Sequence, residues 1–199
     1  MKQRLTRTLF AYWDTVRGER SAPDRTDIDA GAIRSCLANT FILAFDPQQG
    51  HPFRLAGTSL CDMFGLKLTR KSFTELWTVD ERPALSDLLR TVAQERVGVV
   101  AGVAGRNAAD QTANLEMILL PLASGDLGIG RILGALTPVS TPYWLGTASL
   151  ETLRLGAPRF TEPQGNDRLA SDRRMLQGPG FAVYPAAGNF TNSLRLTRR

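Results

Sequence analysis

Residues Phe53–Trp77 read FRLAGTSLCDMFGLKLTRKSFTELW, and the fold is decided here. Phe53–Ala56 closes a strand, and Gly57 releases the chain from extended backbone. Thr58 or Ser59 then offers a hydroxyl to cap a short helix. Ser59 followed three residues later by Asp62 resembles a capping box. Leu60 and Phe64 are four apart and share one face of that helix. Gly65 stops it, as a left-handed residue after a helix does. Ser72-Phe73-Thr74-Glu75 is a full S-x-x-E box and starts a second short helix. Helices of one or two turns are not stable alone in water. Leu60, Met63, Phe64, Phe73, Leu76 and Trp77 must therefore pack against something larger.

The flanking sequence supplies it. Thr40–Asp46 (TFILAFD) is rich in aromatic and β-branched residues, and Pro47-Gln48-Gln49-Gly50 turns it back into Phe53–Ala56 as a hairpin. Asp80 caps a longer helix from Glu81 to about Glu95, with Pro83 in the first turn, where its missing N–H is harmless. Leu85, Leu88, Leu89, Val92 and Ala93 form its buried stripe. Three strand signals follow: Val97–Gly105, Thr112–Leu122 and Arg131–Val139. Within the second, Leu115, Met117 and Leu119 alternate with Glu116, Ile118 and Leu120. Arg106–Gln111 and Ser124–Gly130 have the length and composition of hairpin connections. The reading is an α+β fold: a five-stranded antiparallel sheet, strands and helices in layers, with the short helices on one face.

Upstream, Leu5, Leu9, Tyr12, Trp13 and Val16 lie at helical spacing within Arg4–Val16, with Gly18 as the stop. That helix packs on the domain as a flank or on a second copy of the chain as a homodimer contact. Asp27 is placed to cap a short helix burying Ile28, Ile33 and Leu37. The resulting organisation is residues 1–39 as flanking helices, 40–145 as the core, 146–160 as an arm or extra strand, and 161–199 as a basic tail without usable periodicity, read as disordered.

The chain has 199 residues, 43% hydrophobic and 22% charged, enough for one well-packed domain. No apolar run reaches the length of a membrane span, and the N-terminus has no secretory pattern, so the expected location is cytoplasmic. Cys36 and Cys61 read as free thiols in apolar surroundings. The net charge is +5, but six arginines against three acids fall between Thr161 and Arg199. Much of the excess is thus a tail property, which disfavours a nucleic-acid partner for the folded part.

Catalytic motifs are sparse. His51 is the single histidine, and the Gly50-His51-Pro52 context reads as a solvated turn. One histidine excludes His-pair zinc sites and His-dependent nucleophile triads. Gly98–Gly105 (GVVAGVAG) mimics a phosphate loop but lacks the G-K-[ST] ending. Asp80-Glu81 is explained by the helix start. An enzyme using Asp or Glu in the core cavity ranks below the other readings, because no acid occupies an apolar position.

The strand order and clustered short helices resemble a PAS domain. YWDTVRGERSAPDRTDIDAGAI at Tyr12–Ile33, Phe53–Trp77 as quoted, and RILGALTP at Arg131–Pro138 resemble a bacterial family of small stand-alone PAS proteins. Trp13, Arg17, Pro23, Arg25, Asp27, Arg54, Gly57, Thr58, Gly65 and Trp77 carry the match. The resemblance implies a non-catalytic cytoplasmic module that senses a small molecule or regulates a protein partner through contacts. A haem ligand in such a domain would be a histidine on a buried helix. The light-sensing flavin adduct comes with an N-C-R-F-L-Q context, whereas Cys61 stands in S-L-C-D-M-F-G. Haem and flavin are both disfavoured, and no other cofactor is named. The concave face of the sheet would be lined by Phe41, Leu43, Leu55, Leu60, Met63, Phe64, Phe73, Leu115, Met117 and Leu133, with Arg54, Thr58 or Ser59 as polar anchors. These residues either line a ligand pocket or fill the core. Arg54 either grips an anion or pairs with an acid such as Asp62 as a strut.

Overall fold

The computed structural model describes residues 1–123 and 130–161. The tail from 162 onward and nearly all of the Ser124–Gly130 connection lie outside them.

A six-stranded antiparallel sheet forms the middle layer. Its strands are β1 (Thr40–Ala44), β2 (Phe53–Ala56), β3 (Gly98–Asn107), β4 (Thr112–Leu122), β5 (Arg131–Pro138) and β6 (Leu150–Thr161), in the order β2-β1-β5-β4-β3-β6. The sheet has one strand more than the five expected from the sequence, because Leu150–Thr161 pairs along nearly the whole of β3. Two register shifts bend that pairing. β6 covers the β3 edge, and it carries Pro158, which has no N–H to offer a further strand.

Each face of the sheet has its own core. On one face pack α2 (Thr58–Phe64), the turns around Thr74–Leu76 and α3 (Arg82–Glu95). Leu115, Met117 and Leu119 of β4 point there, whereas Ile118 and Leu120 point to the other face, as their alternation predicts. The second face is covered by α1 (Arg4–Arg17), which lays Leu9 and Trp13 against β4 and β5. Both side chains are enclosed within the domain, at 0% and 1% exposure, so neither is open to a second copy; Leu5, Tyr12 and Val16 are partly buried and pack against the same core.

Two polar anchors, one at each end, fix α1 in place. The Trp13 indole donates to the Pro121 carbonyl at 2.8 Å. Within the helix, Arg17 lies 5.5 Å from the Trp13 ring and pairs with Asp14 at 2.6 Å, and its Nη1 donates to the Arg20 carbonyl just beyond the helix at 3.0 Å. At the other end, the buried Glu116 carboxylate of β4 accepts the backbone N–H groups of Lys2 at 2.6 Å and Gln3 at 2.9 Å. Burial pushes the Glu116 pKa up, but these two donors, together with the Thr6 hydroxyl and the N-terminal charge, outweigh it and hold it below the ordinary carboxylate value. The helix expected after Asp27 does not form. Asp27 instead closes a tight turn, accepting from Asp24 N at 3.1 Å and Arg20 Nη1 at 2.8 Å, while Ile28 and Ile33 still reach the α1-side core.

Candidate functional site

The space between the sheet and α2 is occupied by an aromatic cluster. Phe41 of β1, Phe53 of β2, Phe73 and Trp77 are each 1–2% exposed. Phe73 touches the other three, with ring centroids 5.5 Å from Phe41, 5.5 Å from Phe53 and 5.7 Å from Trp77. Leu43, Leu60, Met63, Phe64, Leu115 and Met117 complete the same cluster. Eight of the thirteen side chains expected at the site are therefore brought together. Phe53 and Trp77 join them at its centre; the sequence marks Trp77 as a packing residue but gives no sign that it belongs to the pocket.

The other five lie elsewhere. A β-bulge explains two of them. Ile42 pairs with Leu55 and Leu43 with Phe53, so Arg54 is an extra residue in β2. The bulge reverses the alternation: Phe53 enters the aromatic cluster, whereas Leu55 sits opposite Ile42 on the α1 side and is 38% exposed. Arg54 is exposed and pairs with neither Asp62 nor any other acid among the described residues. Leu133 pairs with Ile42 and Leu120 and belongs to the α1-side core. Thr58 and Ser59 do not enter the cluster, and neither caps α2.

The N-cap of α2 is Gly57 itself. A Cβ there would lie 2.1 Å from the Leu37 carbonyl oxygen and 2.3 Å from that of Ala38, so only glycine allows this approach. Gly65 ends α2 in the left-handed region at φ +62°. Ser72 accepts the Glu75 N–H at 3.3 Å, which is half of the expected capping box, but the helix it starts is a single turn. Asp80 caps nothing; α3 starts from Glu81 without a side-chain cap.

Trp77 and His51 each carry an enclosed polar atom on this side of the sheet. The Trp77 indole N–H is buried and has no acceptor among the described residues. His51 is 1% exposed, in place of the solvated position its turn context predicts, and its Nδ1 is likewise unpartnered. The aromatic cluster contains no carboxylate, and no group of three or more His, Cys, Asp or Glu side chains is arranged to hold a metal among the described residues. Cys36 is buried, Cys61 is half-buried, and both are free. No helix among the described residues is long and apolar enough to cross a membrane.

The PAS domain family model matches residues 1–137 of the chain. The chain belongs to the PAS domain family. Solved structures of similar fold include the PAS domain of Bordetella pertussis BvgS, at 17% identity and a TM-score of 0.41, covering 54% of this chain and 80% of that one. The light-state LOV domain of the blue-light photoreceptor Aureochrome1 aligns at 16% identity and a TM-score of 0.42, covering 56% and 89%. Drosophila melanogaster Cycle PAS-B, solved with bound ethylene glycol, aligns at 14% identity and a TM-score of 0.41, covering 50% and 98%. No curated protein sequence matches the chain. In this PAS domain, Trp13, Arg17, Pro23 and Asp27 secure the α1 layer, and Gly57, Gly65 and Trp77 build the short-helix layer, whereas Arg54 stands on its surface.

Proposed function

We propose that this PAS domain is a non-catalytic cytoplasmic sensor or adaptor that takes a small, mainly apolar molecule into the core beneath α2 and passes the change to a protein partner. The observation that carries the reading is the Trp77 indole N–H, buried in an apolar cluster with no acceptor among the described residues. An unpaired buried donor costs about 1–3 kcal/mol. A guest bearing one acceptor oxygen or nitrogen relieves that cost. Met63 and Met117 supply adaptable walls. α2 has seven residues and no side-chain cap, so it is the element most easily displaced to admit a guest.

A second reading, a solid-cored interaction module, is favoured by the close packing of the four aromatic rings. Such a module would also work through protein contacts, including a second copy engaging α1 at the parts of Leu5, Tyr12 and Val16 that the core leaves uncovered. Native mass spectrometry of the purified full chain separates the two. The sensor reading expects a retained or added small-molecule mass that Trp77→Phe weakens. Bare protein mass in the presence of a diverse set of apolar acceptor compounds supports the solid core.

A further inference from the structure

His51 is built into the lock that holds the roof of the aromatic cluster. Its ring lies against Phe45, with centroids 5.1 Å apart. Its backbone is left-handed at φ +56°, directly after Gly50 at φ +65°, and its N–H donates to the Asp46 carbonyl at 2.8 Å. The Gly50 carbonyl accepts from Phe73 N at 2.9 Å, Thr74 N at 3.2 Å and Ser72 Oγ at 3.1 Å. A Cβ on residue 50 would meet Ser72 Oγ at 2.1 Å and Thr74 Oγ1 at 2.5 Å, so the turn and the Ser72–Thr74 segment fit only with glycine there. The residue that seats the Phe73 ring is therefore held by the turn that His51 anchors.

We propose that His51 is a proton-operated latch. Neutral, its ring stays packed on Phe45 and keeps the Gly50 carbonyl clamped on Ser72, Phe73 and Thr74. Protonated, it leaves that position and frees the segment over the aromatic cluster. The proposal goes beyond the ligand reading, since its input is a proton and it operates whether the core is solid or occupied.

Protonation would place a positive charge on an imidazole whose buried Nδ1 has no partner, next to an apolar ring. Two charged groups act on the imidazole through their charge. Asp46 begins the turn, and its Oδ1 already accepts from Gln48 N at 3.1 Å and Gln49 N at 3.2 Å. Arg90 comes from α3, where it pairs with Asp87 at 2.7 Å. Burial lowers the His51 pKa below its usual 6.5, the Asp46 carboxylate opposes this, and the Arg90 guanidinium lowers it further. Between the folded value and 6.5 the unfolded chain binds more protons than the folded one. Stability is thus full above 6.5 and declines as pH falls toward the folded value.

The chain's one imidazole makes the test direct. Its resonance and the exchange protection of the Phe73 and Thr74 amides are followed by NMR on the same full-length sample from about pH 8 to about pH 5, the range of ordinary imidazole titration. Protection is corrected for the intrinsic pH dependence of exchange. The expected result is a midpoint below 6.5, with protection of both amides falling as pH drops from 6.5 toward that midpoint, roughly tenfold in all per unit of pKa displacement. His51→Asn, which tolerates the left-handed backbone and does not titrate, should flatten the response. An imidazole that titrates at or above 6.5, or amide protection indifferent to its titration, overturns the latch. If the variant does not fold, the titration of the unsubstituted chain still supports or overturns the latch by itself.

Discussion

The Phe41 ring rests on Gly134. The two residues are direct partners across β1 and β5, and a Cβ at position 134 would lie 2.3 Å from Phe41 Cζ and 3.0 Å from the Ile118 carbonyl oxygen. Through this contact the floor of the aromatic cluster is set by a missing side chain. Gly134→Ala should destabilise the fold by about 1–3 kcal/mol through overpacking, measured by urea unfolding. Gly102→Ala is the control: no atom lies within 4 Å of the added Cβ, and its stability should stay within about 1 kcal/mol of the parent.

Gly57 makes a harsher prediction. The atoms facing its Cβ are backbone carbonyls of Leu37 and Ala38, which cannot rotate aside as a side chain can. Gly57→Ala should cost about 3 kcal/mol or more, at the upper end of overpacking effects, and should displace α2 from the Leu37–Asn39 turn. A urea midpoint matching that of the parent protein would show that the β2–α2 junction yields to an added methyl group.

The α1 layer should respond to acid through Glu116. Its folded pKa is held below the ordinary value, so its contribution is present above the unfolded carboxyl pKa and is lost as pH falls through the folded one. Removing the charge with Glu116→Gln should cost about 1.5–3 kcal/mol at neutral pH, as for hydrogen bonds to charged groups. It should also flatten the acid dependence of the Trp13 indole resonance. An unchanged acid profile in Glu116→Gln would assign the α1 contact to apolar packing alone.

Much of this arrangement is legible in the sequence. The period of β4 assigns Leu115, Met117 and Leu119 to one face because Glu116 punctuates it. The stripe of α1 shows that Leu9 and Trp13 must be buried, but it cannot say against which surface. β5 is buried on both faces from Ile132 to Leu136, so no polar residue marks its phase, and Leu133 reads equally well on either side. In β2 the misreading has a different cause. A bulge leaves no mark in four residues, and a single extra position at Arg54 turns Leu55 away from the core. His51 misleads because glycine and proline flank it, as they do in exposed turns. Its burial comes from Phe45 and from long-range bonds between Gly50 and the Ser72–Thr74 segment, which local composition does not encode.

Trp77→Phe should separate structure from function. The substitution removes an unpaired buried donor but also one ring of a fully buried indole, so ligand-free stability should fall by about 1–3 kcal/mol through the cavity left behind, partly offset by the loss of the unpaired donor. Binding of acceptor-bearing apolar compounds should weaken about tenfold, the equivalent of one hydrogen bond. Isothermal titration calorimetry on the two proteins reads the difference.

The most direct measurement is the ¹H–¹⁵N indole resonance of Trp77 while the full chain is screened against small apolar compounds with and without one acceptor atom. If the core beneath α2 is a ligand site, the acceptor-bearing members move that resonance downfield in a saturable way, and their acceptor-free analogues do not. A Trp77 indole signal that no compound shifts, while the Trp13 signal on the other face of the sheet serves as the internal reference, would contradict the sensor reading and leave a solid-cored interaction module.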